Sequence, residues 1–162
     1  MAIKSVIDIC CGSRMFWFER QSENAVYCDN RQESFDLKDS STHSGSRSLK
    51  IHPDVVSDFT ELPFMDNIFD MVVFDPPHLL HAGRNSWLAK KYGKLGLDWR
   101  EDVRKGFSEG FRVLKPLGSL IFKWNETDIP VSHVLALTLE KPVVGNRCGK
   151  LSKSHWLVFL KA

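Results

Sequence analysis

The fold is decided by a short apolar run that ends in an acidic residue and two prolines, Met71–His78, which reads MVVFDPPH. Its apolar residues are consecutive rather than alternating, which is typical of a strand buried on both faces of a parallel sheet. Other runs of strand length lie on either side of it in the sequence. They are Ile3–Ile9, Ala25–Cys28, Val55–Ser57, Ser119–Trp124 and Trp156–Leu160.

A helical pattern separates this strand from the next one. Apolar residues recur at every fourth position from Trp99 to Phe111, and Asp98 stands where a capping box places its N-cap. Because Pro116 and Gly118 cannot continue a helix, we expect it to end near Leu114. Strands that alternate with helices predict a doubly wound α/β sheet. Two weaker helical patterns are Met15–Arg20 and Val131–Leu139.

The composition is that of a globular protein. The chain has 162 residues, a formal net charge of +2 and 43% hydrophobic residues, which predicts one domain and excludes a disordered, collagen-like or polybasic protein. Lys4 and Asp8 interrupt the first apolar run, so it does not resemble a signal peptide, and no stretch is long enough to span a membrane. The four cysteines show no metal-site spacing. We therefore expect a cytoplasmic protein with free thiols and no metal.

Two segments, 31–50 and 81–97, are predicted to be mobile loops. The first is polar and rich in serine, and the second carries four basic residues and no acidic one. Trp87, Tyr92 and Trp99 are interleaved among or next to these cations, a combination suited to phosphates and unstacked bases. The alternative is that Trp87 and Trp99 pack on the core while the cations are merely solvated. The basic residues are Arg84, Lys90, Lys91 and Lys94.

Four predicted strands end in or near an aspartate, namely Asp8, Asp29, Asp58 and Asp75. In an open α/β sheet the carboxyl ends of the strands form the ligand edge, so a row of carboxylates there predicts a shared ligand. Asp29 lies 21 residues after Asp8, close to the spacing at which an acidic residue binds ribose hydroxyls. The alternative for Asp29 and Asn30 is an Asx-turn, which is compatible with the ligand role.

The turn after the first strand contains a single glycine, Gly12, beside Cys10 and Cys11. A dinucleotide needs several glycines there so that the backbone can approach the pyrophosphate. A nucleoside without phosphates makes a smaller demand on the turn, and S-adenosylmethionine fits that description.

These residues resemble the class I S-adenosylmethionine-dependent methyltransferases. Asp8–Gly12 is similar to the family motif D-x-G-x-G with Cys10 in place of the first glycine, and Asp58-Phe59 is similar to the pair at the adenine edge. The resemblance implies a Rossmann-like, mostly parallel seven-stranded sheet with a C-terminal antiparallel hairpin. It also implies a set of cofactor-binding residues. They are Asp8, Cys10, Gly12, Asp29, Asn30, Asp58 and Phe59.

Asp75-Pro76-Pro77-His78 resembles the [D/N/S]-P-P-[Y/F/W] motif of methyltransferases that modify planar amino or amide nitrogens, including the N6-adenine type. The resemblance implies that the Asp75 carboxylate and the Pro76 carbonyl accept the N–H groups of the substrate. Pro76 and Pro77 restrict the backbone and so help to fix the direction of the Pro76 carbonyl. His78 departs from the motif's usual aromatic, which stacks on the substrate. Taken alone, the motif is also compatible with a rigid turn after a strand. Lys123–Asn125, at the end of the next predicted strand, also faces the ligand edge of the sheet and is interpreted as structural.

Three functions remain open. The first is methylation of a nucleobase amino group in RNA or DNA, with the basic stretch Arg84–Lys94 binding the nucleic acid. The second is methylation of a protein side-chain amide or a small molecule, and the third is nucleoside binding without catalysis. The chain has no room for a target-recognition domain, so a protein partner or a homodimer is a further hypothesis, as is a phage-like origin.

Overall fold

A computed structural model describes residues 4–38, 43, 45–83, 86–147 and 151–162. Along this part of the chain, six strands come before the first helix, two helices separate the sixth strand from the seventh, and a third helix precedes the last two strands. Helices therefore alternate with strands only in its second half. The strands are β1 (Val6–Asp8), β2 (Ala25–Asp29), β3 (Glu33–Lys38), β4 (Ser46–Ile51), β5 (Val55–Val56), β6 (Phe69–Phe74), β7 (Leu114–Asn125), β8 (Val144–Arg147) and β9 (Ser154–Leu160). The helices are α1 (Trp87–Tyr92), α2 (Trp99–Val113) and α3 (Val131–Leu135).

Seven strands form one sheet in the order β5-β2-β1-β6-β7-β9-β8. The pairs from β5 to β7 are parallel, while β9 runs antiparallel to both β7 and β8. This confirms the predicted Rossmann-like, mostly parallel α/β sheet with a C-terminal antiparallel hairpin. The order changes direction at β1, so the loops after β1, β2 and β6 meet at one edge, as in other open α/β sheets.

Alternate residues of the central strands pack in different clusters. Ile7 and Ile9 belong to the main core, which α2 covers with Phe107 and Phe111. Val6 belongs to a smaller cluster of Cys11, Ala25 and Tyr27 with Trp17. Since successive side chains of a strand point to opposite faces, the two clusters lie on opposite faces of the sheet. The side that carries the smaller cluster is covered by the segment between β1 and β2, which contains no helix.

Glycines in the middle of α2 allow the helix to approach the sheet. A Cβ at Gly106 would overlap the Phe74 ring and lie 2.8 Å from the Phe59 ring. We expect Gly106→Ala to lower the free energy of unfolding by about 2 kcal/mol, because overpacking outweighs the gain in helix propensity. Denaturant titration measures this, with Ser108→Ala at an exposed position of the same helix as the control. A Gly106→Ala protein as stable as the control would contradict the close packing.

The prediction of an irregular loop at 31–50 is wrong for most of that segment. Strands β3 and β4 form an antiparallel hairpin with pairs from Glu33 with Ile51 to Lys38 with Ser46. Leu49 and Ile51 are buried while the residues between and before them are exposed, so the hairpin has one apolar and one polar face. The serine-rich centre, 39–42 and 44, lies outside the described residues.

Three local predictions also differ from the structure. Met15–Arg20 forms turns instead of a helix, and the predicted loop at 81–97 contains α1, whose N-cap Ser86 accepts a hydrogen bond from the Ala89 N–H. The Asp98 side chain makes no capping bond, and its backbone, with φ of −92° and ψ of 25°, lies outside the extended conformation of a usual N-cap. Its carbonyl accepts the first bonds of the helix, from Glu101 and Asp102. The end of α2 at Val113 agrees with the predicted stop.

No helix in the described part of the chain is both long and apolar enough to cross a membrane.

Candidate active site

The four predicted aspartates lie at the same edge of the sheet. Asp8 and Asp29 end β1 and β2, Asp75 directly follows β6, and Asp58 comes two residues after β5. Their environments differ, because Asp29 and Asp75 line cavities at this edge whereas Asp8 and Asp58 line neither of them. The prediction of one shared edge therefore agrees with the structure, but only two of the four carboxylates reach the cleft.

The cleft consists of two adjoining cavities of about 40 Å³ each. Both are lined by Cys10, Arg31, Asp75 and Tyr92. The first cavity lies on the β1 turn, and the second lies against the end of β2. The first is also lined by Cys11, Gly12, Ser13, Met15, Phe16, Pro76, His78 and Lys91. The second is also lined by Ile9, Asp29, Asn30, Phe59 and Pro77.

Asp8 stabilises the turn after β1 through hydrogen bonds to Cys10 and Trp17. It is buried, and its carboxylate accepts hydrogen bonds from the Cys10 N–H at 3.2 Å and the Trp17 indole N–H at 2.8 Å. Burial raises the pKa of Asp8 to about 7, an effect that these two hydrogen bonds reduce. Asp8 therefore shapes the turn that the resemblance assigns to the cofactor, without itself lining the cleft.

The turn itself presents backbone and a thiol to the cleft. Gly12 has φ of 48°, in the left-handed region, and a Cβ there would meet nothing within 4 Å, so the space above it is open. Cys10, in the place of the family's glycine, lines both cavities. Burial raises the pKa of its thiol well above the usual value, which keeps it neutral.

Arg31 is hydrogen-bonded to the Asp29 carboxylate, the group that the sequence assigns to the ribose hydroxyls. Oδ1 of Asp29 accepts from the Arg31 backbone N–H at 3.0 Å and Nε at 3.1 Å, and Oδ2 accepts from the Gly12 N–H at 2.9 Å. The Arg31 guanidinium also donates to the Lys90 carbonyl of α1 at 3.1 Å. Sequence reasoning missed Arg31, because an arginine two residues after a strand carries no recognisable signal.

Lys123 faces the catalytic candidate. Its Nζ lies 3.5 Å from Oδ1 of Asp75 and 4.3 Å from the centroid of the Phe16 ring. Burial raises the pKa of Asp75 to about 6, and the Lys123 charge opposes that rise. From the sequence, Lys123 is placed at this edge of the sheet and interpreted as structural, whereas in the structure its ammonium group faces the Asp75 carboxylate.

His78 packs inward more than it faces the cleft. It is 7% exposed, with its ring centroid 5.6 Å from that of Tyr92 and 6.3 Å from that of Trp124. Burial, with the Lys123 charge, lowers the pKa of His78 to about 4, and its ring hydrogen-bonds to the Pro76 backbone. The ring is therefore neutral near pH 7, and Tyr92 lines more of the cleft than His78 does.

Of the remaining residues predicted to bind the cofactor, Phe59 and Asn30 reach the cleft and Asp58 does not. Phe59 and Asn30 line the second cavity, and the Phe59 ring packs 5.4 Å from that of Phe74. Asp58 is exposed outside it, where its Oδ1 accepts from the N–H and hydroxyl of Thr60 at 2.9 and 2.8 Å. These bonds are those of the Asx-turn that is the ordinary role of an aspartate after a strand.

The basic stretch lies beside the cleft, with Arg84 outside the described residues. Lys91 Nζ lies 4.8 Å from the Tyr92 ring and 5.5 Å from the Trp87 ring. Trp99 is buried in the core, as the alternative interpretation expected, whereas Trp87 is half-buried. Among the described residues no group of three or more His, Cys, Asp or Glu side chains is placed to hold a metal ion.

No protein-family model and no curated protein sequence matches the chain. Solved structures do match over almost its whole length. The PH0226 protein from Pyrococcus horikoshii OT3 has a TM-score of 0.59 at 17% identity, over 97% of this chain and 81% of that one. A SAM-dependent methyltransferase from Methanosarcina mazei has a TM-score of 0.53 at 12% identity, over 96% and 91%.

A third match is a 16S rRNA (adenine(1408)-N(1))-methyltransferase from Catenulisporales acidiphilia. Its TM-score is 0.51 at 12% identity, over 97% of this chain and 84% of that one. At such identities the similarity establishes architecture rather than activity. The chain has the Rossmann-like fold of S-adenosylmethionine-dependent methyltransferases.

Proposed function

We propose that the protein is an S-adenosylmethionine-dependent methyltransferase that transfers a methyl group to a planar amino nitrogen of a nucleobase in RNA or DNA. The observation that carries this proposal is the Asp75 carboxylate. It directly follows β6, is 16% exposed, and lies in a cleft shared with the β1 turn and Asp29.

The residues at the β1 and β2 ends fit this cofactor. Asp29 offers a carboxylate to the two ribose hydroxyls, Phe59 and Asn30 line the same cavity, and the open space above Gly12 admits the amino acid part. When bound, S-adenosylmethionine supplies a methyl group on a sulfonium, which is a good leaving group.

Binding requires a rearrangement of side chains. Ligand pockets usually enclose roughly 300–1,000 Å³, whereas each cavity here has about 40 Å³. Arg31 and Tyr92 line both cavities, and the Arg31 guanidinium holds the carboxylate that ribose would use. Release of the Arg31 guanidinium would leave the Asp29 carboxylate with its hydrogen bonds from the backbone N–H groups of Arg31 and Gly12, and with lone pairs available for the ribose hydroxyls.

In the proposed reaction, Asp75 orients the substrate. A planar amino nitrogen is a weak nucleophile because its lone pair is delocalised. The Asp75 carboxylate and the Pro76 carbonyl accept its two N–H groups, which directs the lone pair toward the methyl group. Asp75 then accepts the proton that the nitrogen loses after transfer. Tyr92 provides a planar ring in both cavities for stacking on the base.

Lys123 favours the ionised form of Asp75, which this role requires. Its ammonium group opposes the rise in the pKa of Asp75, so the carboxylate is largely ionised near pH 7. The His78 ring is neutral at that pH and adds no positive charge beside the cationic cofactor. A protein side-chain amide presents the same N–H groups, but the cationic residues beside the cleft favour a nucleic acid.

A thermal-shift measurement tests cofactor binding. S-adenosylmethionine at 100 times its dissociation constant should add about 2.7 kcal/mol to the free energy of unfolding. We expect Asp29→Ala to weaken this affinity at least tenfold, because charge-assisted hydrogen bonds to ribose are lost. Glu33→Ala, at an exposed position just beyond Asp29, is the matched control. No shift of the wild-type midpoint at saturating cofactor would contradict the proposal.

A transfer assay tests the acceptor. The protein is incubated with methyl-labelled S-adenosylmethionine and separate RNA, DNA and protein fractions, and labelled nucleosides or amino acids are identified after hydrolysis. Label on a base amino group is the expected result. Label found only in the protein fraction would contradict a nucleobase acceptor and indicate a side-chain amide instead.

A further inference from the structure

A basic groove runs between the β3–β4 hairpin and α1. We call it the hairpin groove, and it encloses about 490 Å³. Four cationic side chains and one indole line it, and its lining contains no acidic residue within the described part of the chain. The cations are Arg20, Arg47, Lys50 and Lys91, and the indole is that of Trp87.

The hairpin groove is continuous with the active-site cleft. Ser13, Met15 and Lys91 line both the groove and the first cavity, which also contains Asp75 and Pro76. A ligand that fills the groove therefore reaches the opening of the cleft at Met15 and Lys91. The two sites together form a path from the exposed cations of β4 to the Asp75 carboxylate.

The charges suit a chain of phosphates. Arg47 and Lys50 lie on β4, Arg20 lies in the turn region after β1, and Lys91 lies on α1, so basic residues from three separate parts of the chain line the groove. Cations along a groove bind successive phosphates, and an aromatic ring among them stacks on bases of any sequence. Trp87, with the Lys91 ammonium 5.5 Å from its ring, provides such a surface.

We propose that the hairpin groove binds the sugar-phosphate backbone of a single-stranded polynucleotide, with a base flanking the target stacked on Trp87. This inference rests on the proposed function for the identity of the base that enters the cleft. A base in a duplex cannot reach a side chain as enclosed as Asp75 unless it leaves the stack. The groove therefore holds a strand that is already single, or the flipped part of one.

The first test uses charge reversal in the groove. The double variant Arg47→Glu/Lys50→Glu is compared with Lys105→Glu/Lys141→Glu, which reverses two exposed charges elsewhere on the surface. Binding of fluorescent oligo(U) and oligo(dT) is measured between 50 and 200 mM salt, and thermal midpoints confirm folding.

We expect the groove variant to bind at least tenfold more weakly at low salt. Its plot of log affinity against log salt concentration should be shallower by about 1.4, since each lost phosphate contact removes about 0.7 for a single strand. The control variant should bind like the wild type. Equal binding by the two variants would overturn the proposal.

The second test concerns Trp87. We expect Trp87→Leu to weaken binding of oligo(dT) about tenfold and to leave binding of an abasic oligomer of the same length unchanged, because only the former loses base stacking. An equal loss on both ligands would show that Trp87 does not stack on a base. The comparison of oligo(U) with oligo(dT) distinguishes RNA from DNA as the ligand.

These measurements need neither cofactor nor turnover. If oligonucleotide binding responds to the groove variants while S-adenosylmethionine does not bind, the groove proposal stands and the proposed function fails. If the cofactor binds and label is transferred, but the groove variants bind oligonucleotides normally, the function stands and the groove proposal fails.

Discussion

Replacing Asp75 with alanine should lower the rate of methyl transfer at least 100-fold and leave the affinity for S-adenosylmethionine within about threefold of the wild type. Positioned proton acceptance typically contributes 10²–10⁴-fold. Alanine removes both the oxygen atoms that accept the substrate N–H group and the charge that takes its proton. Single-turnover transfer and cofactor titration measure the two quantities separately.

The pH dependence provides a second readout of the same residue. Only the ionised Asp75 can accept both the hydrogen bonds and the proton, and burial raises its pKa to about 6. We therefore expect kcat/KM to increase about tenfold per pH unit below 6 and to level off above it. Lys123→Met removes the opposing charge and should move this midpoint to higher pH.

Asp70→Ala is the matched control for Asp75. Asp70 is an exposed residue of β6 whose carboxylate pairs with Lys115 at 2.9 Å, outside the cleft. The same chemical change there should leave transfer and its pH profile unchanged. Retained turnover in the Asp75→Ala protein would remove Asp75 from the mechanism.

The free energy of unfolding should fall by about 3 kcal/mol between pH 5 and pH 8 because of Asp8 alone. Burial raises its pKa to about 7 in the folded protein, against about 3.9 in an unfolded chain. In this range the folded state binds more protons than the unfolded state, so stability decreases as pH rises. Above the folded pKa the decrease ends, because both states are then ionised.

Denaturant titrations from pH 5 to pH 8 test this dependence in the wild type and in Asp8→Asn. The decrease should be about 3 kcal/mol smaller in the variant, whereas Asp70→Asn should reproduce the wild-type slope. The range avoids the opposite effect of Glu109, whose pKa Arg112 lowers, because that effect appears below pH 4.5. The lowered pKa of His78 opposes the decrease up to about pH 6.5, but it acts in both proteins and cancels in their difference. Equal slopes in wild type and Asp8→Asn would contradict the raised pKa. A carboxyl ¹³C titration of Asp8 with a midpoint near 7 is independent of unfolding.

The sheet and α2 could be predicted because their sequence patterns reflect burial. In β6, Val72 and Phe74 are buried in the core while Met71 and Val73 are half-buried, and the four-residue spacing from Trp99 to Phe111 faces the core. The β3–β4 hairpin could not be predicted in the same way. Only alternate positions such as Leu49 and Ile51 are buried, among serines and charged residues that equally suit a loop.

The site was predictable to the extent that it follows from strand order. Asp29 and Asp75 reach the cleft because parallel strands place their carboxyl ends at one edge. The partners of those carboxylates depend on tertiary contacts. Arg31 reaches Asp29 through the conformation of the loop after β2, and Lys123 reaches Asp75 because β7 pairs with β6 in one particular register.

The pairing of β1 with β6 also determines how the chain can fold. Val6 lies opposite Met71, and Asp8 lies opposite Val73, so the centre of the sheet joins segments that are far apart in sequence. Bringing such segments together costs chain entropy before their contacts compensate for it. Folding rates fall as the mean sequence separation of contacts increases. We therefore expect folding in milliseconds to seconds, with β1 left without its central neighbour until β6 has been synthesised.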